Sequence, residues 1–191
     1  MRNRDMSKIK ALEEAAYDLV QAQGLSQLSI NKLAKRANVS VATAYIYYEN
    51  KADLLGTLYQ SIRDTLILNL PLPNAALPVQ EQFAQVMRTY AETFLAHPKQ
   101  VNFMTALSAN PEYLPEAMQG DDSLLGPAMM AVIKQAYEQN KLRTKNVDLI
   151  VAQALQPLQW LLQTRAQHKA TVRVEEVDAL IEMAQRAIFV D

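Results

Sequence analysis

The chain has 191 residues, no cysteine, a net charge of −1 and half of its residues apolar. That length buries a core without disulfides or a structural metal, and that composition excludes wholesale disorder. The missing cysteine removes disulfides, thiolate metal sites and cysteine nucleophiles.

Four glycines stand where average usage gives roughly 13, leaving little for a phosphate loop or a turn-rich β fold. The 27 alanines and 25 leucines favour helix. His97 and His168 fit no metal-ligand spacing, so no metal site and no cofactor are expected. Charge divides along the chain. Residues 1–63 carry nine basic and six acidic side chains, and the remainder ten basic and fourteen acidic. A basic head on an acidic body fits a nucleic-acid-facing N-terminus, and chance clustering of surface charge fits equally.

Helical periodicity runs through nearly all of the sequence. Ser7 is placed to cap a first helix with Ile9, Leu12, Ala16 and Leu19 on its apolar face, and Gly24 to end it. Ser29 caps a short second helix with Ile30, Leu33, Ala34 and Ala37 inward. Asn38 stands at a sharp turn, where its tolerance of the left-handed conformation is useful. Ser40 opens a very short third helix, and Asn50 caps a fourth with Asp53 at the capping-box position. The prolines at 71, 73 and 78 mark a loop. Helices are then expected at about 79–96, 98–108, 127–140, 146–168 and 174–189, with Pro157 kinking the second-last. The expected class is all-α with about nine helices. No stretch reaches the ~20 apolar residues of a spanning helix. Glu13 and Glu14 interrupt any apolar leader, so a cytoplasmic location is expected.

The stretch Ser29–Leu55, SINKLAKRANVSVATAYIYYENKADLL, is two short helices joined by a tight turn. The second starts with small residues that let a helix end approach a groove floor. Thr43 offers a hydroxyl to a phosphate or base edge, and its methyl or Val41 suits a thymine methyl. Tyr45, Tyr47 and Tyr48 supply phenol hydroxyls or an anchor in the small core. Lys51, in the first turn of the fourth helix, adds charge beside helix-terminal N–H groups that suit a phosphate.

This stretch resembles the DNA-binding head of the TetR family of transcriptional regulators. The likeness rests on Val39, Ser40, Ala42, Thr43, Tyr45, Tyr47, Tyr48, Lys51, Asp53 and Leu54, with Leu33, Ala34, Gly24, Leu25 and Ser29 before them. Asn38 departs from a common glycine, Ala44 from a leucine and Tyr48 from a phenylalanine. The resemblance implies a helix-turn-helix DNA-binding domain over residues 1–50 and a helical ligand-binding and dimerisation domain over 51–191. It implies DNA contacts from Ser29, Asn31, Ser40, Val41, Thr43, Tyr45, Tyr47 and Lys51, with Val41 and Thr43 at base edges. Arg2, Arg4, Lys8 and Lys10 either reach phosphates or form a solvated tail.

One such head makes few base contacts, and helix-turn-helix proteins commonly pair on near-palindromes. The candidate dimer faces are Leu155, Leu158 and Leu162 on the eighth helix and Val177, Leu180, Ile181, Ala184 and Ile188 on the ninth, which serve equally as internal core. A second stripe on the eighth helix, Gln153, Gln156, Trp160, Gln163 and Gln167, is either a solvated or subunit-facing polar face or one wall of a cavity. In the cavity reading Gln156 and Trp160 meet Tyr90, Phe103 and Met104 around a small molecule. The function expected is a non-enzymatic regulator, a repressor released from a palindromic DNA operator by a small apolar effector. A ligand-dependent activator and a helical interaction module without DNA binding are the alternatives.

Overall fold

The computed structural model describes residues 5–118, 125–168 and 170–190, apart from the side chains of Ala117 and Gln167. Arg2, Arg4 and the Gln167 side chain therefore fall outside the described residues. Among those described there are nine α-helices and no strand, the all-α class that the sequence predicts. The chain divides into two compact units, Met1–Ile62 with Lys99–Asp122, and Arg63–Pro98 with Ser123–Asp191.

The first unit holds α1 (Met6–Gln23), α2 (Ile30–Arg36), α3 (Val41–Tyr47), nearly all of α4 (Lys51–Arg63) and of α6 (Pro98–Ser108), and a 3₁₀ turn at Pro111–Tyr113. The cap of α1 is Asp5 rather than Ser7. Its carboxylate accepts the Ser7 N–H at 3.0 Å and the Ser7 hydroxyl at 2.7 Å, so the serine joins the first turn instead of preceding it. These Ser7 bonds favour the ionised form and hold the Asp5 carboxyl below its ordinary range. Gly24 ends α1 at φ 79°, its N–H on the Val20 carbonyl.

Ser29 Oγ caps α2 by accepting the Lys32 N–H. Asn38 takes φ 55°, and the next N–H, of Val39, returns to the Ala34 carbonyl at 3.0 Å, closing α2 as a Schellman turn does. A side chain with a β-carbon but no local hydrogen-bonding capacity is strained there. Asn38→Ala should cost about 1 kcal/mol and Asn38→Gly should not. Urea unfolding of the two variants checks this, and an alanine variant as stable as the parent would refute it.

Leu12, Leu33, Leu54, Leu55 and Leu58 are inaccessible to solvent and form this unit's core. Each contributes about 1.5–3 kcal/mol by leaving water. Elements distant in sequence close it. Tyr17 meets Phe103 edge-to-face with ring centroids 5.2 Å apart, and Lys99 Nζ lies 3.2 Å from Glu14 and 2.8 Å from Asp18. Asp18 also pairs with Arg36 at 2.8 Å. The Lys99 and Arg36 hydrogen bonds hold its carboxyl below the ordinary range.

The second unit continues from α4 through a π-helical stretch, Asp64–Leu68, to α5 (Val79–Ala96), α7 (Pro127–Glu138), α8 (Val147–Gln167) and α9 (Val174–Ile188). On α5 Phe83, Met87 and Tyr90 are almost fully buried, and α7, α8 and α9 all pack against this helix. Phe83 meets Phe189 edge-to-face at 5.4 Å. Tyr90 Oη accepts the Gly126 N–H at 3.1 Å, which places Pro127 at the first position of α7, where a proline's missing N–H costs nothing. The helix α8, capped by Asn146, continues through Pro157. At the start of α9 Glu176 accepts the Arg173 N–H and pairs with Arg165, and both interactions depress its carboxyl.

Candidate nucleic-acid interface

The short third helix has two faces. Ala44 and Tyr48, four residues apart, are buried. Val41, Ala42, Tyr45 and Ile46 point the other way, with Val41, Tyr45 and Ile46 exposed at 41%, 52% and 51%. A run of large apolar and aromatic groups left in solvent on so small a helix is costly unless something covers it. Ala44 is why the helix lies close to its neighbours, since a methyl there lets the backbone approach the core.

Ser40 Oγ caps α3 by accepting the Thr43 N–H at 3.0 Å and lies 2.8 Å from the Thr43 hydroxyl. The hydroxyl pair fixes the threonine rotamer before any partner arrives. Tyr47 is half-buried, and its Oη accepts the Asp5 N–H at 3.3 Å while its own O–H remains a donor. Ser29 is committed as the α2 cap, and Asn31 in the first turn is exposed. Asn50 caps α4 as the sequence predicts, while the Asp53 carboxylate reaches one residue further back than a capping box does. Asp53 N–H donates to Asn50 Oδ1 at 3.0 Å, and the Asp53 carboxylate accepts the Glu49 N–H at 2.9 Å.

Lys51 makes its contacts within its own unit. Its ammonium donates to the Leu25 carbonyl at 2.7 Å and lies 3.4 Å from the Ser26 carbonyl. It also stands 4.8 Å from the centroid of the Tyr113 ring. Burial lowers its pKa. Ile46 is the surface residue that sequence reasoning missed, because an isoleucine between tyrosines reads as core. The one available signal was its place about 200° around the helix from Ala44, and the burial of Ala44 is itself not legible in so short a helix.

The body residues fall differently from the expectation. Leu155, Leu158, Leu162, Val177, Ile181, Ala184 and Ile188 are buried within the single chain, and Leu180 is only partly exposed. These stripes are spent on packing α8 and α9 into their own unit. The apolar side chains that these helices leave in solvent are Val147, Leu149 and Trp160 on α8 and Val174 and Met183 on α9. Gln156 is exposed and Trp160 is 67% exposed, so neither lines an interior cavity with the buried Tyr90. Phe103 and Met104 are core residues of the other unit. The reason lies in the angular assignment. The leucine stripe of α8 is the buried one, in a helix that packs against both α5 and α9, and Gln156 and Trp160 lie on the exposed side.

A groove of about 720 Å³ runs between α5 and α9, lined by Glu81, Arg88, Glu92, Asp178, Glu182 and Gln185 among others. Arg88 bridges it to Asp178 at 2.8 Å. Its charged walls do not suit an apolar ligand. No group of three or more His, Cys, Asp or Glu side chains among the described residues is placed to hold a metal ion. No described helix is long and apolar enough to cross a membrane.

Residues 12–58 match the sequence profile of the bacterial regulatory proteins of the tetR family. An HTH-type transcriptional regulator of Bacillus subtilis is 38% identical over 80 residues, covering 42% of this chain and 39% of the relative. One of Haemophilus influenzae is 32% identical over 89 residues, covering 46% and 48%. The chain thus spans less than half the length of these curated relatives. A TetR family transcription regulator of Marinobacter aquaeolei superposes with a TM-score of 0.82 at 23% identity, covering 100% of both chains. A TetR-family regulator of Haemophilus influenzae does so at 0.76 and 22%, covering 99% of this chain and 100% of its own.

Proposed function

We propose that the chain is a regulator of the TetR family, which binds double-stranded DNA through α2 and α3 and regulates transcription. The observation that carries this is the outward face of α3, Val41, Ala42, Tyr45 and Ile46, beside the oriented Thr43 hydroxyl. Such a face suits the floor of a major groove. Its apolar groups touch thymine methyls, while Thr43, Tyr45, Tyr47 and Asn31 donate to phosphates or base edges. The side chains of Val41, Ala42 and Ile46 form no hydrogen bond to a base, so sequence preference rests on methyl contacts and on duplex shape. Residues 1–50 carry this activity in the proposal, and residues 51–191 carry dimerisation and effector binding.

In the proposed assembly two copies pair and present two α3 helices to a near-palindrome, as helix-turn-helix dimers do. The exposed apolar groups of α8 and α9, Trp160 and Met183 among them, support a face that a second copy covers. A small apolar effector then shifts the population between a DNA-competent and an incompetent arrangement, releasing a repressed operator in the cytoplasm. Support for an apolar effector comes from likeness alone. A fatty acid metabolism regulator of Bacillus subtilis is 34% identical over 53 residues, and a fatty acid degradation regulator of Bacillus halodurans superposes with a TM-score of 0.64. Fatty acids are therefore the first class to test.

Selection of duplexes from a random pool tests the reading. Enrichment of a sequence with twofold symmetry, bound by a dimer in sedimentation, is the expected result. A monomer that enriches no sequence at low salt overturns it.

A further inference from the structure

Within the second unit α5 and α9 run side by side in opposite directions, with Gln185 Nε2 donating to the Gln80 carbonyl at 2.7 Å and Arg88 donating to Asp178 at 2.8 Å. The groove between them has two ends of different chemistry. Its main length, about 720 Å³, is lined by four carboxylates, Glu81, Glu92, Asp178 and Glu182, against one guanidinium, Arg88. Asp178 is taken by Arg88, and Glu182 lies 3.4 Å from Arg186. Glu81 and Glu92 pair with no cation among the described residues. Beyond the Arg88–Asp178 rung lies a recess of about 90 Å³ walled by Ala91, Leu95, Val172, Val174 and Val177. Arg88, Glu92 and Asp178 border both spaces. Arg173, also at the recess, is 3.6 Å from Glu176. Val174 is 70% exposed and Leu95 47%, so two aliphatic groups stand in water at an apolar hollow. Met183 lies about 140° around α9 from Asp178, at about 100° per residue, so a second copy seated on Met183 approaches another side of the helix.

We propose that this groove binds a small amphipathic cation, an ammonium carrying a short alkyl chain. The chain lies in the recess under Leu95 and Val174, and the ammonium donates to Glu92 where the two ends meet. Neither half suffices. An exposed ion pair alone holds weakly, and a wholly apolar molecule leaves the carboxylates unanswered. Together they act on one ligand, and each methylene that leaves water multiplies affinity about fourfold. The acidic walls draw cations towards the groove and turn anions away. Its volume lies within the roughly 300–1,000 Å³ usual for small-molecule sites. The site is separate from the DNA-facing surface of α3 and does not depend on it.

Isothermal titration of the full chain with n-hexylammonium chloride tests this, beside sodium hexanoate, with a like chain and the opposite charge, and methylammonium chloride, with the head alone. Hexylammonium should saturate one site per chain, and each control should bind at least about tenfold more weakly. Glu92→Gln and Leu95→Ser alter exposed side chains outside the core, and each should weaken hexylammonium binding about three- to fivefold. Glu138→Gln removes an exposed carboxylate from α7, away from the groove, and should bind as the parent does. A thermal melt of each variant checks the fold, and Val174→Ser, at the same recess, replaces Leu95→Ser should that variant melt early. Parental affinity in Glu92→Gln or in the recess variant overturns the proposal. So does hexanoate bound as tightly as hexylammonium, or no saturable binding of hexylammonium at millimolar concentration. Duplex selection decides DNA binding separately.

Discussion

Tyr45→Glu is expected to abolish operator binding, by about 100-fold or more, while leaving the fold unchanged. The phenol is 52% exposed on the outward face of α3, and the side chain at this position takes no part in the core. Exposed substitutions of this kind alter stability by no more than about 0.5 kcal/mol. A carboxylate carried into the groove of a polyanion is another matter. Like charges juxtaposed at an interface cost several kcal/mol, and each 1.4 kcal/mol is a factor of ten in affinity. The measurement pairs fluorescence anisotropy on the selected duplex with a thermal melt of the protein alone. Retained binding would place α3 outside the groove. A lowered melting temperature would mean that Tyr45 is structural, contrary to its exposure.

The largest effect on stability is expected from Gly126→Ala. A β-carbon built on Gly126 would stand 2.3 Å from the Ile67 carbonyl oxygen and 3.0 Å from its carbon. The obstacle is backbone, so no rotamer change relieves it. Ile67 lies in the π-helical stretch Asp64–Leu68, whose wider turn sets its carbonyl against Gly126. On the other side the Gly126 N–H is held by the buried Tyr90 hydroxyl, so the segment is restrained from both directions. Overpacking of this kind costs about 1–3 kcal/mol, occasionally more. At about 2–4 °C per kcal/mol for a chain of this size, the melting temperature should fall by roughly 2–12 °C. Tyr90→Phe, which removes only the hydroxyl, should cost about 1–3 kcal/mol by leaving the Gly126 N–H without that acceptor. A melting temperature within a degree of the parent for Gly126→Ala would show that the two strands of backbone are free to separate.

Sequence reasoning reached different depths at different sites. The caps Ser29, Ser40, Asn50 and Asn146, the left-handed Asn38 and the termini of α5 and α6 were legible because each is a local event. A side-chain oxygen within three residues of an orphan N–H, or a proline that cannot continue a helix, settles the matter without reference to the rest of the chain. Asp5 displaced Ser7 as the cap of α1 by the same local chemistry, since both residues can cap and the carboxylate accepts two bonds at once.

Orientation was not local. On α3 the residues 41–47 make barely two turns, too few for periodicity to separate Ile46 outside from Ala44 inside. On α8 the leucine stripe reads as a dimer face or internal core, and the glutamine–tryptophan stripe as a polar face or a cavity wall. Burial of Leu155, Leu158 and Leu162 against their own unit resolved it. Lys51 shows the same limit at a single atom. Its place beside a helix N-terminus was legible, but not that the carbonyls of Leu25 and Ser26 and the ring of Tyr113 come within its reach.

The amino-acid order alone therefore determined the helical class, most helix ends and the helix-turn-helix pattern, all of which follow from backbone hydrogen bonding and steric preference over a few residues. Tertiary structure alone decided which face each helix turns inward. It also decided that Lys99, Phe103 and Tyr113 serve the N-terminal unit. Those outcomes depend on partners tens of residues away, and free energy from burying a side chain or pairing a charge exists only once the partner has arrived.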